Sequence, residues 1–211
     1  MRFCLLVMAK SPIPGQVKTR LCPPLSPAEA AEVAAASLLD TISAVLETPG
    51  AVPVVALAGV VRRDDVRDAL AECVVIPQRG ETFAERLVHA HADVARFAMP
   101  VLQIGMDTPQ VTPSLLASCA EFDEAALGFA ADGGWWALGL RDPLRASVLR
   151  DVPMSRDDTG VRTWKALEGL RVRSLPILSD VDTMDDARAV AALTPDSRFA
   201  ATLDEIAAVP R

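Results

Sequence analysis

Short apolar runs alternate with helix-forming stretches along most of the chain, and that alternation restricts the fold to a sheet with helices packed on it. Residues 3–8 are continuously apolar, as in a strand covered on both faces. Ser26-Pro27-Ala28-Glu29 then opens a long helix. Ser26 can cap it, Pro27 fits the first helical position, and Glu29 closes a capping box. That helix is expected to run to about Glu47, ahead of Pro49-Gly50. Further strands are predicted over 52–58, 73–76, 101–104, 125–130, 135–140 and 172–178. Helices are predicted over 64–71, 83–97, 112–122, 143–149, 161–167 and 184–193. The order implies an α/β three-layer sandwich with a mainly parallel central sheet. A length of 211 residues suits one domain, with its core over 3–193 and an Ala-rich tail over 194–211.

Open sheets of this kind bind ligands beyond the carboxyl ends of their strands, and the polar motifs fall there. The run from Ala9 to Leu21 follows the first strand directly. It sets Lys10, Lys18 and Arg20 beside a Pro/Gly-stiffened turn at Pro14-Gly15. A stiff turn lets backbone approach a ligand, and such cations suit a polyphosphate. The run is neither G-x-x-x-x-G-K-[ST] nor G-x-G-x-x-G. Lys18 and Arg20 share a face if the loop is extended. Otherwise these cations are simply solvated.

Asp107, in Gly105-Met106-Asp107-Thr108-Pro109, and Asp182, in Asp180-Val181-Asp182-Thr183, both follow apolar strands. Each reads either as a turn or cap residue or as a ligand for Mg²⁺ or Mn²⁺. Those hard ions bind through one or two carboxylates plus substrate phosphates. Brought together, the two carboxylates repel by about 4 kcal/mol at a 4 Å separation and a dielectric of 20, and a divalent cation reverses that penalty. In Asp132-Gly133-Gly134-Trp135-Trp136 the glycines let a ligand approach, Asp132 can accept from a hydroxyl, and a Trp can offer a sugar an apolar platform. The alternative is a glycine hairpin with a Trp in the core. Gln78 and Gly80 either read a base or ribose or belong to a helix start capped by Thr82. The charged loop 156–160 either closes over an acceptor or is solvated. His89 and His91 lie two apart in a helix and face different ways.

Composition narrows the partners. The formal net charge is −7, and basic residues concentrate only in the first loop, so nucleic acid is not expected as substrate. The four cysteines are scattered, with no C-x-x-C, as in a cytoplasmic protein with reduced thiols. The opening apolar stretch is too short for a secretory signal and gives way to Lys10 and a Pro-Gly turn. No run is long enough to span a membrane.

The run from Met8 to Leu21 resembles the opening of a poorly characterised bacterial family of candidate glycosyltransferases with the GT-A fold, related to nucleotidyltransferases of the molybdopterin and phospholactate type. The resemblance extends from Phe3 to about Leu193. It includes Gly80, Glu85-Arg86, the Ile104–Pro109 segment, Asp132-Gly133-Gly134-Trp135, Gly139-Leu140 and Asp180-Val181-Asp182-Thr183. It implies a nucleotide-diphosphosugar-transferase-like domain. Ala9, Lys10, Pro14 and Gly15 would lie near base and ribose, and Lys18 and Arg20 near the phosphates. Asp107 would be a metal ligand and Asp182 the second. Three departures stand out: Asp107-Thr108-Pro109 is not a D-x-D, Trp135 replaces the usual Tyr, and Met154-Ser155 replaces a Trp-Ser pair.

The leading expectation is glycosyl transfer from a nucleotide sugar to an unknown acceptor, with Lys18 and Asp132 as catalytic residues and Gln78, Gly80 and Asp107 also near the nucleotide. Nucleotidyl transfer from a nucleoside triphosphate to a phosphorylated acceptor is the alternative. Nucleotide binding without turnover is the third reading. The oligomeric state is not legible from residue spacing.

Overall fold

The computed structural model describes residues 1–208, so the last three residues of the expected tail lie outside it. Its sheet joins β1 (Phe3–Lys10), β2 (Ala51–Ala58), β3 (Val74–Pro77), β4 (Val101–Gly105), β5 (Ala125–Phe129), β6 (Trp135–Leu140) and β7 (Val172–Ser174). The strand order is β3-β2-β1-β4-β6-β5-β7. Among the described residues only β6 runs against the others: it pairs antiparallel with β4 and β5, and the remaining pairs are parallel. This is the expected mainly parallel sheet, flanked by helices. The chain winds outward from β1 in both directions, so the crevice above β1 and β4 is the switch point of the topology. Because β6 is reversed, its first residue, Trp135, lies at the rim where the parallel strands end.

Strand β1 shows why the sheet is covered twice. Leu5, Val7 and Ala9 belong to the core on one face, with α1 (Pro27–Glu47) and α4 (Pro113–Cys119). Cys4, Leu6 and Met8 belong to the other, with α3 (Phe83–Val94) and the 3₁₀ segment Pro143–Asp151. Helix α1 starts as its sequence dictates: Ser26 Oγ accepts from the Glu29 amide at 3.3 Å, and Glu29 Oε2 accepts from the Ser26 amide at 2.6 Å. Thr82 and Glu85 close the same box on α3. The helices α2 (Asp64–Ala71), α5 (Thr159–Ala166) and α6 (Met184–Leu193) fall at or near their expected places.

Several expectations are corrected. The last strand stops at Ser174, not Leu178. Pro176 has no amide to donate, its carbonyl is taken by Trp136 Nε1 at 2.9 Å, and only an isolated bridge returns at Leu178. Helix α4 ends at Cys119, and the last turn of the 83–97 helix tightens into 3₁₀ at Ala95–Phe97. The unassigned tail contains α7 (Arg198–Ala208), held on α1 where Asp40 accepts from the Phe199 amide at 2.8 Å and Phe199 is fully buried. No helix of the described residues is long and apolar enough to cross a membrane.

His91 faces the interior from α3, whereas His89 bonds the Arg79 carbonyl at the surface. Burial pushes the His91 pKa down to about 4. The unfolded chain therefore takes up a proton near pH 6.5 that the native state refuses until about pH 4, and stability is lost as pH falls through that window. The expected loss is about 3 kcal/mol relative to His91→Phe, which carries no such group. Urea midpoints for both proteins at pH 7 and pH 4.5 measure it. Equal shifts in the two proteins would contradict the assignment.

Candidate functional site

Three chain segments meet above β1 and β4. Lys18, at a left-handed φ of 48° before the 3₁₀ turn Thr19–Leu21, sends its ammonium to the Asp107 carboxylate and to the Val181 carbonyl. The Val181 amide in turn donates to the Asp107 carbonyl at 2.9 Å. Arg20 Nη1 pairs with Asp182 Oδ2 at 2.6 Å. The basic loop and the two distant aspartates thus share one rim. The two pairs differ in burial: the Lys18 side chain is 6% exposed, the Arg20 side chain 69%.

A cleft of about 630 Å³ opens there. Lys10, Arg20, Asp107, Asp180 and Asp182 line it together with Asp132, Trp135, Met154 and Arg156. A hollow of about 240 Å³ shares Lys10, Arg20, Asp107 and Asp182 with it and adds Lys18. A groove of similar size between α6 and α7 is walled by alanines, Leu203 and Ile206, and it lacks this density of charge.

Asp180, which had no role in the sequence reading, belongs to this cluster. Burial first, then the charges of Asp107, Asp132 and Asp182, raise its pKa to about 7, with Lys18 opposing. The signal was present: Asp180-Val181-Asp182 is itself an Asp-x-Asp, and the buried Val181 between them anchors in the third core cluster while both carboxylates reach the cleft. A raised acid pKa means native stability is greatest below about pH 4 and is lost as pH rises through 7. Asp180→Asn is therefore expected to melt several degrees higher than the parent at pH 8 and to lose that advantage at pH 5. Thermal melts at both values check this, and an unchanged difference would contradict it.

The other expected site residues divide. Ala9, Lys10, Gln78 and Gly134 line the cleft. Gln78 Nε2 is already committed to the Ala9 and Ala56 carbonyls, each at 2.9 Å, which straps the ends of β1 and β2. Trp135 lines the cleft half-buried, while Trp136 is in the core, so the pair splits between the platform and core readings. Asp132 is exposed, and its Oδ1 accepts from the Gly134 amide at 2.8 Å.

Four of the expected residues, Pro14, Gly15, Gly80 and Gly133, do not line the cleft. Pro14 lines a separate hollow with Arg62 and Arg63, and Gly15 is a turn glycine at φ +74° outside the cleft. Gly80 is glycine because a Cβ there would stand 2.7 Å from that of Glu85. Gly133 admits the loop after Met154 rather than a ligand: a Cβ would lie 1.8 Å from the Asp157 carbonyl, and its own carbonyl accepts from Gly160 at 2.9 Å. That docking makes Met154, Ser155 and Arg156 part of the cleft wall. Thr183, not Asp182, caps α6.

The donor set is all carboxylate oxygen, which suits Mg²⁺ or Mn²⁺. Among the described residues no three metal-binding side chains form a ready cage. Asp107 and Asp182 are held by cations instead. The carboxylates of Asp107, Asp180 and Asp182 gather on one rim, and such oxygens fit a hard divalent ion when phosphates complete its shell.

A family model described as "Uncharacterized protein conserved in bacteria (DUF2064)" matches residues 41–156, more than half of the chain. The chain belongs to that family. The DUF2064 match takes in Gln78, Asp107 and the Asp132–Trp135 hairpin, and leaves the first loop and Asp180 outside. The fold is shared with a candidate nucleotide-diphospho-sugar transferase from Desulfovibrio desulfuricans G20, at TM-score 0.85 and 24% identity over 97% of this chain and 95% of that one. It is also shared with CMP:2-keto-3-deoxy-manno-octonic acid synthetase complexed with CTP, at TM-score 0.55 and 15% identity over 92% and 99%. The manganese complex of Rv0371c from Mycobacterium tuberculosis H37Rv aligns at TM-score 0.51 and 24% identity over 90% and 98%. No curated protein matches the sequence.

Proposed function

We propose that this DUF2064 chain is a single-domain, nucleotide-dependent transferase that moves a sugar from a nucleotide-diphosphosugar donor to a small acceptor. One observation carries the reading: Lys10, Lys18 and Arg20 converge with Asp107, Asp180 and Asp182 on one cleft at the switch point of the sheet. Asp107 and Asp182 would hold Mg²⁺ or Mn²⁺. When bound, the ion supplies charge neutralisation for the leaving diphosphate. Lys18 and Arg20 stabilise the same developing charge, and Lys18 acts from a nearly dry position where its field is least screened. Ala9 and Lys10 border the nucleotide, and Gln78 shapes that border by fixing the Ala9 carbonyl. Trp135 and Gly134 face the sugar or acceptor. Asp132 uses one oxygen to hold the hairpin and keeps the other for an acceptor proton.

Nucleotidyl transfer from a nucleoside triphosphate is the second reading. The density of cations in the first loop favours it, as does the likeness to a synthetase bound to CTP. Incubation with nucleotide sugars and, separately, with nucleoside triphosphates plus phosphorylated acceptors decides between them. Nucleoside diphosphate release from a nucleotide sugar is expected. Pyrophosphate release alone would replace the glycosyl reading with the nucleotidyl one, and no product with any donor would leave a binding protein.

A further inference from the structure

The floor of the cleft contains a buried polar side chain in an otherwise apolar strand. Gln103 lies mid-strand on β4, is 3% exposed, and borders the cleft beside Met8 and Trp135. Its Oε1 finds no hydrogen-bond partner among the described residues. Behind it, from α3, stands the His91 ring, wholly buried, with Gln103 as its polar neighbour and neither ring nitrogen in a closed hydrogen bond. Two buried polar side chains that have only each other in an otherwise apolar layer are unusual, and native cores rarely retain them without a use.

Their surroundings say what the use is. Met8, Phe83, Trp135 and Met154 give the same cleft its apolar and aromatic wall, while its cations are Lys10, Arg20, Arg86 and Arg156. A neutral carboxamide carries no charge for a phosphate, and in a cleft that also offers the Trp135 ring it matches the hydroxyls of a sugar. We propose that Gln103 is a specificity-determining residue for the sugar of the donor, hydrogen-bonding its hydroxyls from the cleft floor, and that His91 is the positioning residue that orients the carboxamide. This rests on the nucleotide-transferase reading. His91 in its neutral form has one N–H to give to Gln103 Oε1, which turns the Gln103 N–H₂ toward the cleft.

The test uses calorimetric binding of UDP, GDP, UDP-glucose and GDP-mannose, with Mn²⁺, to the parent, Gln103→Met and His91→Phe. Met fits the site of Gln103 and removes an orphaned acceptor, so the variant is expected to fold at least as well as the parent. In the parent, at least one nucleotide sugar binds more tightly than its diphosphate. Gln103→Met lowers that preference about 10-fold while diphosphate affinity stays within about twofold, the size of one lost hydrogen bond. His91→Phe lowers the same preference without touching diphosphate affinity, a split that a merely structural role would not produce. Equal loss for sugar and diphosphate, an unchanged preference in both variants, or a parent that binds diphosphates no worse than nucleotide sugars overturns the inference and leaves the nucleotide site standing. A parent that binds no nucleotide overturns both. If Gln103→Met fails to fold, His91→Phe decides by the same criteria.

Discussion

Asp107→Asn lowers turnover about 10³-fold and destabilises the protein by about 3 kcal/mol, whereas Asp182→Asn lowers turnover comparably with almost no loss of stability. The two aspartates have parallel roles in the proposed chemistry, so their functional costs are alike. Their cationic partners differ. Asp107 faces Lys18, whose side chain is 6% exposed, and removing the carboxylate strands a charge that water cannot reach. Breaking a buried pair from one side costs about 3–5 kcal/mol for that reason. Asp182 faces Arg20, 69% exposed, which simply re-solvates, and such surface pairs contribute about 0–1 kcal/mol. Denaturant midpoints beside product assays separate the two effects. If both variants lose stability equally, the asymmetry of the cleft rim has been misjudged.

Lys18→Met inverts the asymmetry. It removes the buried charge and leaves Asp107, 44% exposed, in contact with solvent. Stability is expected to change by less than about 1 kcal/mol, because the desolvation cost of the ammonium disappears with it. Affinity for a nucleoside diphosphate falls about 100-fold, and turnover falls further, since a charge aimed at the leaving group contributes more as negative charge develops. Lys18→Arg does not restore full activity: the ammonium serves Asp107 and the Val181 carbonyl at once from a confined left-handed position, and a planar fork of different reach does not reproduce that. Titration calorimetry with UDP and GDP, and initial rates with the matching nucleotide sugars, measure both. Unchanged diphosphate affinity in Lys18→Met would remove Lys18 from the phosphate site.

Much of the fold was legible because local signals agreed with it. The Ser26–Glu29 box and Pro27 set the start of α1, and the two-sided burial of β1 follows from its unbroken apolar run. The sequence pattern also placed Lys18, Arg20, Asp107 and Asp182 after strands, and parallel topology carries such positions to one rim. Elsewhere, tertiary contacts decided. Gly133 looked like an opening for a ligand, but what enters is the Asp157 carbonyl, a partner from a loop far along the chain. Gly80 owes its identity to the helix it precedes. Nothing local marks Gln103 as exceptional: one polar residue within an apolar strand becomes informative only when its neighbour across the layer is a buried histidine. Helix α7 does carry a helical period in Phe199, Leu203 and Ile206, but what anchors it, Asp40 on α1, lies far back in the sequence.

The central claim is that the first-loop cations and the distant aspartates form one metal-assisted diphosphate site. Crystals soaked with a nucleoside diphosphate and Mn²⁺, with anomalous scattering recorded at the manganese edge, test it most directly. The account predicts a manganese peak within bonding distance of the Asp107 and Asp182 carboxylates, with the diphosphate against Lys18 and Arg20. A nucleotide bound in the α6–α7 groove, or in this cleft with its phosphates turned away from Lys18, would contradict it.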